Sequence, residues 1–481
     1  MRPVPIPAFV LLSPFALGFV LGCQPPAENP PASGTPGPAR STAVTTSLTA
    51  LPAPSADRPL HALSGPPLVL PAGLEVQVST DPSHRGGIDS GKLPVGRERW
   101  RSRVGRSTGE AAYVDGRIFL VSVGSGFKEW DRFESNPRRD EREGVYGLDA
   151  KTGAVEWQRA IGVDPSGPLV VGKDTLFVAG PEALFALKTS DGEQRWSFAL
   201  SAPAPEALAL SGTHVFAATN TRLVALTQGE GDVSWEWQAP SRILSLLRVE
   251  DTLYVGTQYA TPTPGSLFAL DAKTGAERWR YDAGAYARVR LPAFEGDRLF
   301  FTDESHLHCL DAKTGKNLWI AEFPEREEPN GAYVHNPLRG HPLVVGGVVF
   351  IGRDYRPGDV YAVDASTGKE RWRSRPFPAF ARGSVESSLS YADGRLYVGT
   401  SGWRVNLGNN GHTQAHFLSV FAAADGAPLW NVPEGQLPAG ADSVTLADGA
   451  PRPGERLSTT PLVVAGHVFV GREDGHFYAY E

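Results

Sequence analysis

Sulfur is nearly missing from this sequence, which has two cysteines, Cys23 and Cys309, and one methionine among 481 residues. With no Cys-x-x-Cys, no Cys-x-x-Cys-His and no adjacent cysteine pair, a disulfide framework, a clustered thiolate metal site and covalent haem are excluded. An excess of positive charge is also lacking. Lys and Arg number 46 against 53 Asp and Glu, a formal charge of -7, and no basic run occurs, so nucleic acid is not an expected partner. Helix-period apolar segments are few. No Ser-His-Asp spacing, phosphate-binding glycine loop or glycosidase carboxylate pair can be singled out.

What the chain has in abundance is one short phrase. Ala269 to Trp279, ALDAKTGAERW, carries the skeleton small-x-Asp-x-x-Thr-Gly-x-x-x-Trp. Copies run from 147 to 157, 186 to 196, 225 to 235, 309 to 319, 362 to 372 and 420 to 430, with Lys188, Thr227 and Ala422 replacing the Asp in three of them. The eighth copy is split. Ala479, Tyr480 and Glu481 begin it, and Gly96 to Trp100 supply its end, so the repeats are expected to close into a ring. Within each copy an apolar run reads as a strand, the Asp-to-Gly segment as a turn, and the Trp segment as the returning strand. A second hairpin precedes each, as in Pro342 to Ile351 and Pro461 to Val470. Four short strands per unit of about 49 residues predict an all-β fold, an eight-bladed propeller of four-stranded antiparallel blades.

Successive ring Trp residues, 100, 157, 196, 235, 279, 319, 372 and 430, are spaced by 57, 39, 39, 44, 40, 53 and 58 residues. The surplus over 39 falls between second and third strands (124–144, 258–265, 401–415) or between blades (321–341, 373–386, 431–459). In an antiparallel meander these two loop classes emerge on one face, so one face is elaborated and the other plain. Elaborated loops on a rigid scaffold are where function is expected.

The N-terminus is organised differently. After Arg2, the apolar stretches Ala8 to Leu12 and Phe15 to Leu21 are too short and too interrupted by proline for a comfortable membrane span, and read as an export signal. Val20-Leu21-Gly22-Cys23 resembles the bacterial lipobox, which implies signal cleavage after 22, acylation of Cys23 and, with Gln24 following, sorting to the outer membrane. Residues 23–88, rich in Pro, Ala, Ser, Thr and Gly, are expected to be a disordered tether of roughly 45 Å root-mean-square span, and 89–481 the propeller. Pro66 to Val78 is the part of the tether suited to pair as a strand.

The repeat resembles the tryptophan-docking motif of the quinoprotein, or PQQ-like, propeller superfamily. The resemblance implies that each indole lies over a glycine peptide of a neighbouring blade. Gly96, Gly153, Gly192, Gly231, Gly275, Gly315, Gly368 and Gly426 would act with Trp100, Trp157, Trp196, Trp235, Trp279, Trp319, Trp372 and Trp430 as structural staples, and Cys309 as a buried thiol at a small-residue position. One branch of the superfamily comprises PQQ-dependent dehydrogenases of alcohols or sugars. The other comprises non-catalytic scaffolds such as the outer-membrane assembly lipoproteins of the BamB type. Lipobox, tether and eight blades match the second, although the long linker and large loops depart from it. The adjacent cysteine pair of many dehydrogenases is missing. The resulting expectation is an extracytoplasmic, lipid-anchored, monomeric scaffold for envelope proteins or peptides, without a cofactor. The alternative is a PQQ- and Ca-dependent dehydrogenase.

A quinone site would need basic residues, an aromatic plate and oxygen ligands for calcium. Innermost strands place Glu110, Arg290, His341, Glu386 and Thr460 near the axis, and loops add Arg353, Asp354, Tyr355, Trp403, Arg404 and Asn406 as candidate mouth residues. No metal is assigned from sequence. His412 and His416 are expected in a loop, and His306 and His308 share one face of a strand beside Cys309. Residues 128–143, with Trp130 and Phe133 among mixed charges, read as a partner-facing loop.

Overall fold

The structure is a computed structural model describing residues 75–77, 86–124, 142–162, 167–200, 207–303, 305–323, 326–327, 333–334, 338–353, 359–374, 382–385, 387–405, 412–432 and 457–481. The loop 128–141, with Trp130 and Phe133, and the lipobox lie outside them. Among the described residues eight blade sheets form, each an antiparallel meander running from an axial to a rim strand, together with a separate two-stranded sheet of Arg326–Glu327 and Tyr333–Val334. The fourth blade is representative. Its strands are Ile243–Val249, Thr252–Thr257, Gly265–Asp271 and Glu277–Gly284, paired in that order. Innermost strands of most successive blades touch, and Leu462–Val464 of the eighth blade meets Ser107–Val114 of the first, so the ring is closed.

Sheets stacked face to face bury both faces of their inner strands. Thr252–Thr257 and Thr175–Ala179 are buried throughout, whereas the rim strand Asn317–Glu322 alternates between half-buried and exposed. The alternation that marks a one-sided sheet therefore appears only where a strand meets solvent.

Ring closure is covalent nonsense but physical sense: segments almost the whole chain apart make one sheet. Glu98–Arg103 is the rim strand of the eighth blade, antiparallel to His476–Tyr480 with Trp100 opposite Ala479. Arg97 and Glu481 exchange backbone hydrogen bonds of 2.9 Å in both directions. A single apolar cluster joins Tyr113, Ile118 and Leu148 of the first blade to Leu462, Phe469 and Phe477 of the eighth.

Two segments ahead of residue 89 also join the sheets. Glu75–Gln77 pairs antiparallel with the axial strand of the first blade, and Gly87–Ile88 pairs parallel with that of the eighth. The next residues reach the seventh blade, where the Asp393 carboxylate accepts from the N–H groups of Ser90 (3.0 Å) and Gly91 (2.8 Å).

The seventh blade departs from expectation. Residues 401–405 and 412–415, read from sequence as loop, continue the strands Arg395–Val405 and His412–Ala422 as one long hairpin, paired out to Val405 opposite His412. Arg382–Val385, also within an expected loop, pairs with the same extension, Arg382 opposite Trp403. His412 and His416 therefore lie on a strand, in correction of their expected loop. The sequence obscures this because the Gly- and polar-rich stretch looks like a turn region when only local propensity is available.

Candidate functional site

Each motif turn is held by its own side chains. Asp271 Oδ1 accepts from the N–H groups of Lys273 (3.1 Å) and Thr274 (2.9 Å) and from the Thr274 hydroxyl (2.9 Å). The Arg278 guanidinium and these donors hold its carboxyl down at about 2. Where Lys188, Thr227 or Ala422 replaces the Asp, the backbone bond closing the turn survives, from Gly192, Gly231 and Gly426 respectively at 2.9 to 3.0 Å.

The tryptophans then join blade to blade. Trp100, Trp157, Trp196, Trp235, Trp279, Trp319 and Trp372 each donate from Nε1 to a carbonyl in the next blade's turn, at 2.9 to 3.2 Å. Each ring lies against the next motif glycine. A Cβ on Gly275, where φ is +73°, would sit 2.6 Å from Trp235 Cε3, so both the backbone angle and the indole demand glycine. The small residue six positions before each glycine has its own reason. Ala269 lies directly across from Trp279 and Cys309 from Trp319, and a Cβ on Gly147 would fall 2.4 Å from Trp157 Cε2. Burial pushes the Cys309 thiol up to about 12.

The eighth position differs. Gly96 has the left-handed φ of the other motif glycines, +85°, but its turn is assembled from two segments. The Trp430 Nε1 has no acceptor among the described residues. Trp430 packs instead edge-on to Tyr397, 6.4 Å between centroids.

At the axis, Glu110 of the first blade and His341 of the sixth come together, His341 Nε2 lying 3.8 Å from Glu110 Oε1. These blades are not neighbours, so the contact reaches across the ring. Both side chains are partly exposed. Ser388 Oγ accepts from the His341 N–H at 3.3 Å, tying the seventh blade to the same place. Arg353 is brought to the end of its strand but is buried, its N–H donating to the Asp359 carbonyl at 2.9 Å. Arg290 lies half-buried ahead of the fifth blade, donating from its N–H to the Thr302 carbonyl at 3.2 Å. Thr460 is buried. Trp403 and Arg404 are on the seventh-blade hairpin, and Asp354, Tyr355, Glu386 and Asn406 lie outside the described residues.

Calcium takes six to eight oxygens. Among the described residues the mouth shows no group of three His, Cys, Asp or Glu ligand atoms, and the oxygen donors Asp354, Glu386 and Asn406 lie outside those residues. Such a group occurs elsewhere, on the elaborated face of the fifth blade, where Asp303 meets His306 and His308. Sequence reasoning found the two histidines by strand period and missed the aspartate, because the bend that brings it back is tertiary geometry.

Fold and docking geometry together define a quinoprotein-type, PQQ-like eight-bladed propeller. The family model described as "Outer membrane protein assembly factor BamB" matches residues 141–290, 287–351 and 303–451, more than half of the chain, and the chain belongs to that family. Among solved structures, BamB from Moraxella catarrhalis has the same fold, with a TM-score of 0.52 and 16% identity over 80% of this chain and 100% of that one. The quinohemoprotein alcohol dehydrogenase of Comamonas testosteroni gives 0.58 at 13% identity, covering 83% of this chain and 79% of that one. Curated relatives include the serine/threonine-protein kinase AfsK of Streptomyces griseus, 30% identical over 45% of this chain and 27% of the kinase. The quinohemoprotein alcohol dehydrogenase ADH IIB of Pseudomonas putida is also 30% identical, over 40% of this chain and 30% of the enzyme. The chain thus spans under a third of the length of these relatives.

Proposed function

We propose that this protein is an extracytoplasmic, lipid-anchored propeller that binds envelope proteins or peptides through its elaborated face, as a non-catalytic scaffold in outer-membrane protein assembly. The observation that carries this reading is the match of residues 141–451 to the assembly-factor family. The long seventh-blade hairpin supports it, because Arg395–Val405 and His412–Ala422 project a paired element on the face where insertions collect. Such a hairpin can offer an edge to an extended peptide, with backbone hydrogen bonds supplying affinity. Acylation of Cys23 would hold the propeller at the membrane, with the part of residues 23–88 that precedes the paired strand Glu75–Gln77 as its tether.

The test is cross-linking in cells of the source bacterium. Envelope proteins are expected to be captured by the wild type and lost when residues 402–415 are replaced by Asn-Gly, while Cys23→Ala abolishes acyl labelling. Equal capture by both forms would overturn the assignment to this face.

A second reading, a PQQ- and Ca-dependent alcohol or sugar dehydrogenase, is favoured by the likeness to ADH IIB. PQQ when bound would accept the substrate's electrons, and Glu110 with His341 would form part of the wall around it. Adding PQQ and Ca to purified protein and following dye-linked oxidation decides between the two.

A further inference from the structure

We propose that Asp303, His306 and His308 bind one divalent transition-metal ion of the zinc type on the elaborated face of the fifth blade. The strands Arg298–Thr302 and His306–Asp311 leave only a short bend between them. A strand period of two sends His306 and His308 to the same face. The bend folds Asp303 back onto that face, where its Oδ1 accepts from the N–H groups of Ser305 (3.0 Å) and His306 (2.7 Å). This fixes the carboxylate before any ligand arrives.

Asp303 Oδ2 then lies 3.1 Å from His306 Nδ1 and 3.0 Å from His308 Nε2, and all three ligand atoms fall within 4.8 Å of one another. A tetrahedral zinc ion, with bonds of about 2.0 to 2.2 Å, separates its ligand atoms by about 3.3 Å. Two of the three separations are already close to this value, and the third is within 4.8 Å. Two imidazoles and one carboxylate suit zinc or cobalt and are too poor in oxygen for calcium or magnesium.

The surroundings are arranged as ligand supports. The His308 ring is 3% exposed and stacks on Phe301 at 4.6 Å with 5° between planes. Its other nitrogen, Nδ1, lies 3.3 Å from the Tyr281 hydroxyl, on the rim strand of the fourth blade. That hydroxyl is held by a 3.1 Å bond from Asn317 Nδ2. To ligate through Nε2, His308 must carry its proton on Nδ1, and the Tyr281 oxygen is placed to accept it. His306, with 38% of its side chain exposed, leaves a route from solvent to a fourth ligand position.

The test uses the full chain stripped with chelator and titrated with Co(II), read by its visible absorption, with Zn(II) as competitor. One saturable equivalent, displaced by Zn(II), is expected. His306→Ala should lose it, and Tyr281→Phe should weaken it by about 10- to 100-fold. His306→Gln serves if the alanine variant fails to fold, with circular dichroism confirming the fold of whichever is used. Absence of a saturable band, or an equal band in a folded His306 variant, would show that Asp303 merely hydrogen-bonds two histidines and would overturn the site.

Discussion

A glycine in a motif turn meets two demands at once, a left-handed backbone and an indole pressed against its Cα. Gly275→Ala violates both, since φ is +73° and the added carbon would lie 2.6 Å from Trp235 Cε3. A loss of about 2 kcal/mol or more is expected, measured by equilibrium denaturation. Asp303 makes a different kind of contribution. Burial works to raise its pKa, but the hydrogen bond and charge of His308, with the His306 and Ser305 N–H groups, overcome this and bring it to about 2. An unfolded aspartate titrates near about 3.9, so the folded value is depressed and the stabilisation is present above that pH. It disappears as pH falls from about 4 to about 2. In metal-free protein, the stability difference between wild type and Asp303→Asn should shrink by roughly 2 kcal/mol across that window.

The blade-to-blade staple is the element on which the ring depends, and its eight copies are not equal. Seven indoles donate to a turn carbonyl, and Trp430, beside the two-segment turn, has no acceptor among the described residues. Trp235→Phe removes a hydrogen bond that Trp430→Phe does not, so the first should cost about 1 kcal/mol more, again by denaturation. The motif itself was readable from sequence because it combines local turn chemistry with a cross-strand size constraint, Ala269 facing Trp279 and Cys309 facing Trp319. The seventh-blade hairpin was not. Its strand residues Trp403 and His412 follow no repeat, and their pairing depends on partners across the hairpin and on Arg382–Val385.

At the scale of the whole molecule, stability rests on joining the chain's two distant ends. Glu98–Arg103 supplies the rim strand of the last blade and Trp100 the staple into the first, so losing this segment opens the ring at two interfaces. A chain lacking residues 1–74 should unfold with the melting temperature of the full-length protein. One lacking residues 1–103 should lose cooperative unfolding, as followed by calorimetry. Comparable melting curves for both would place closure elsewhere.

By itself the sequence determined the number of blades and the split eighth repeat, because each follows from a local motif counted along the chain. Only the tertiary structure decided which side chains meet. Glu110 and His341 are far apart in sequence and lie on non-adjacent blades, and they face each other only once the ring is closed. Asp303 joins its histidines through a bend that no period records. Distances between side chains depend on where sheets stack and strands turn, and one-dimensional order does not carry that information.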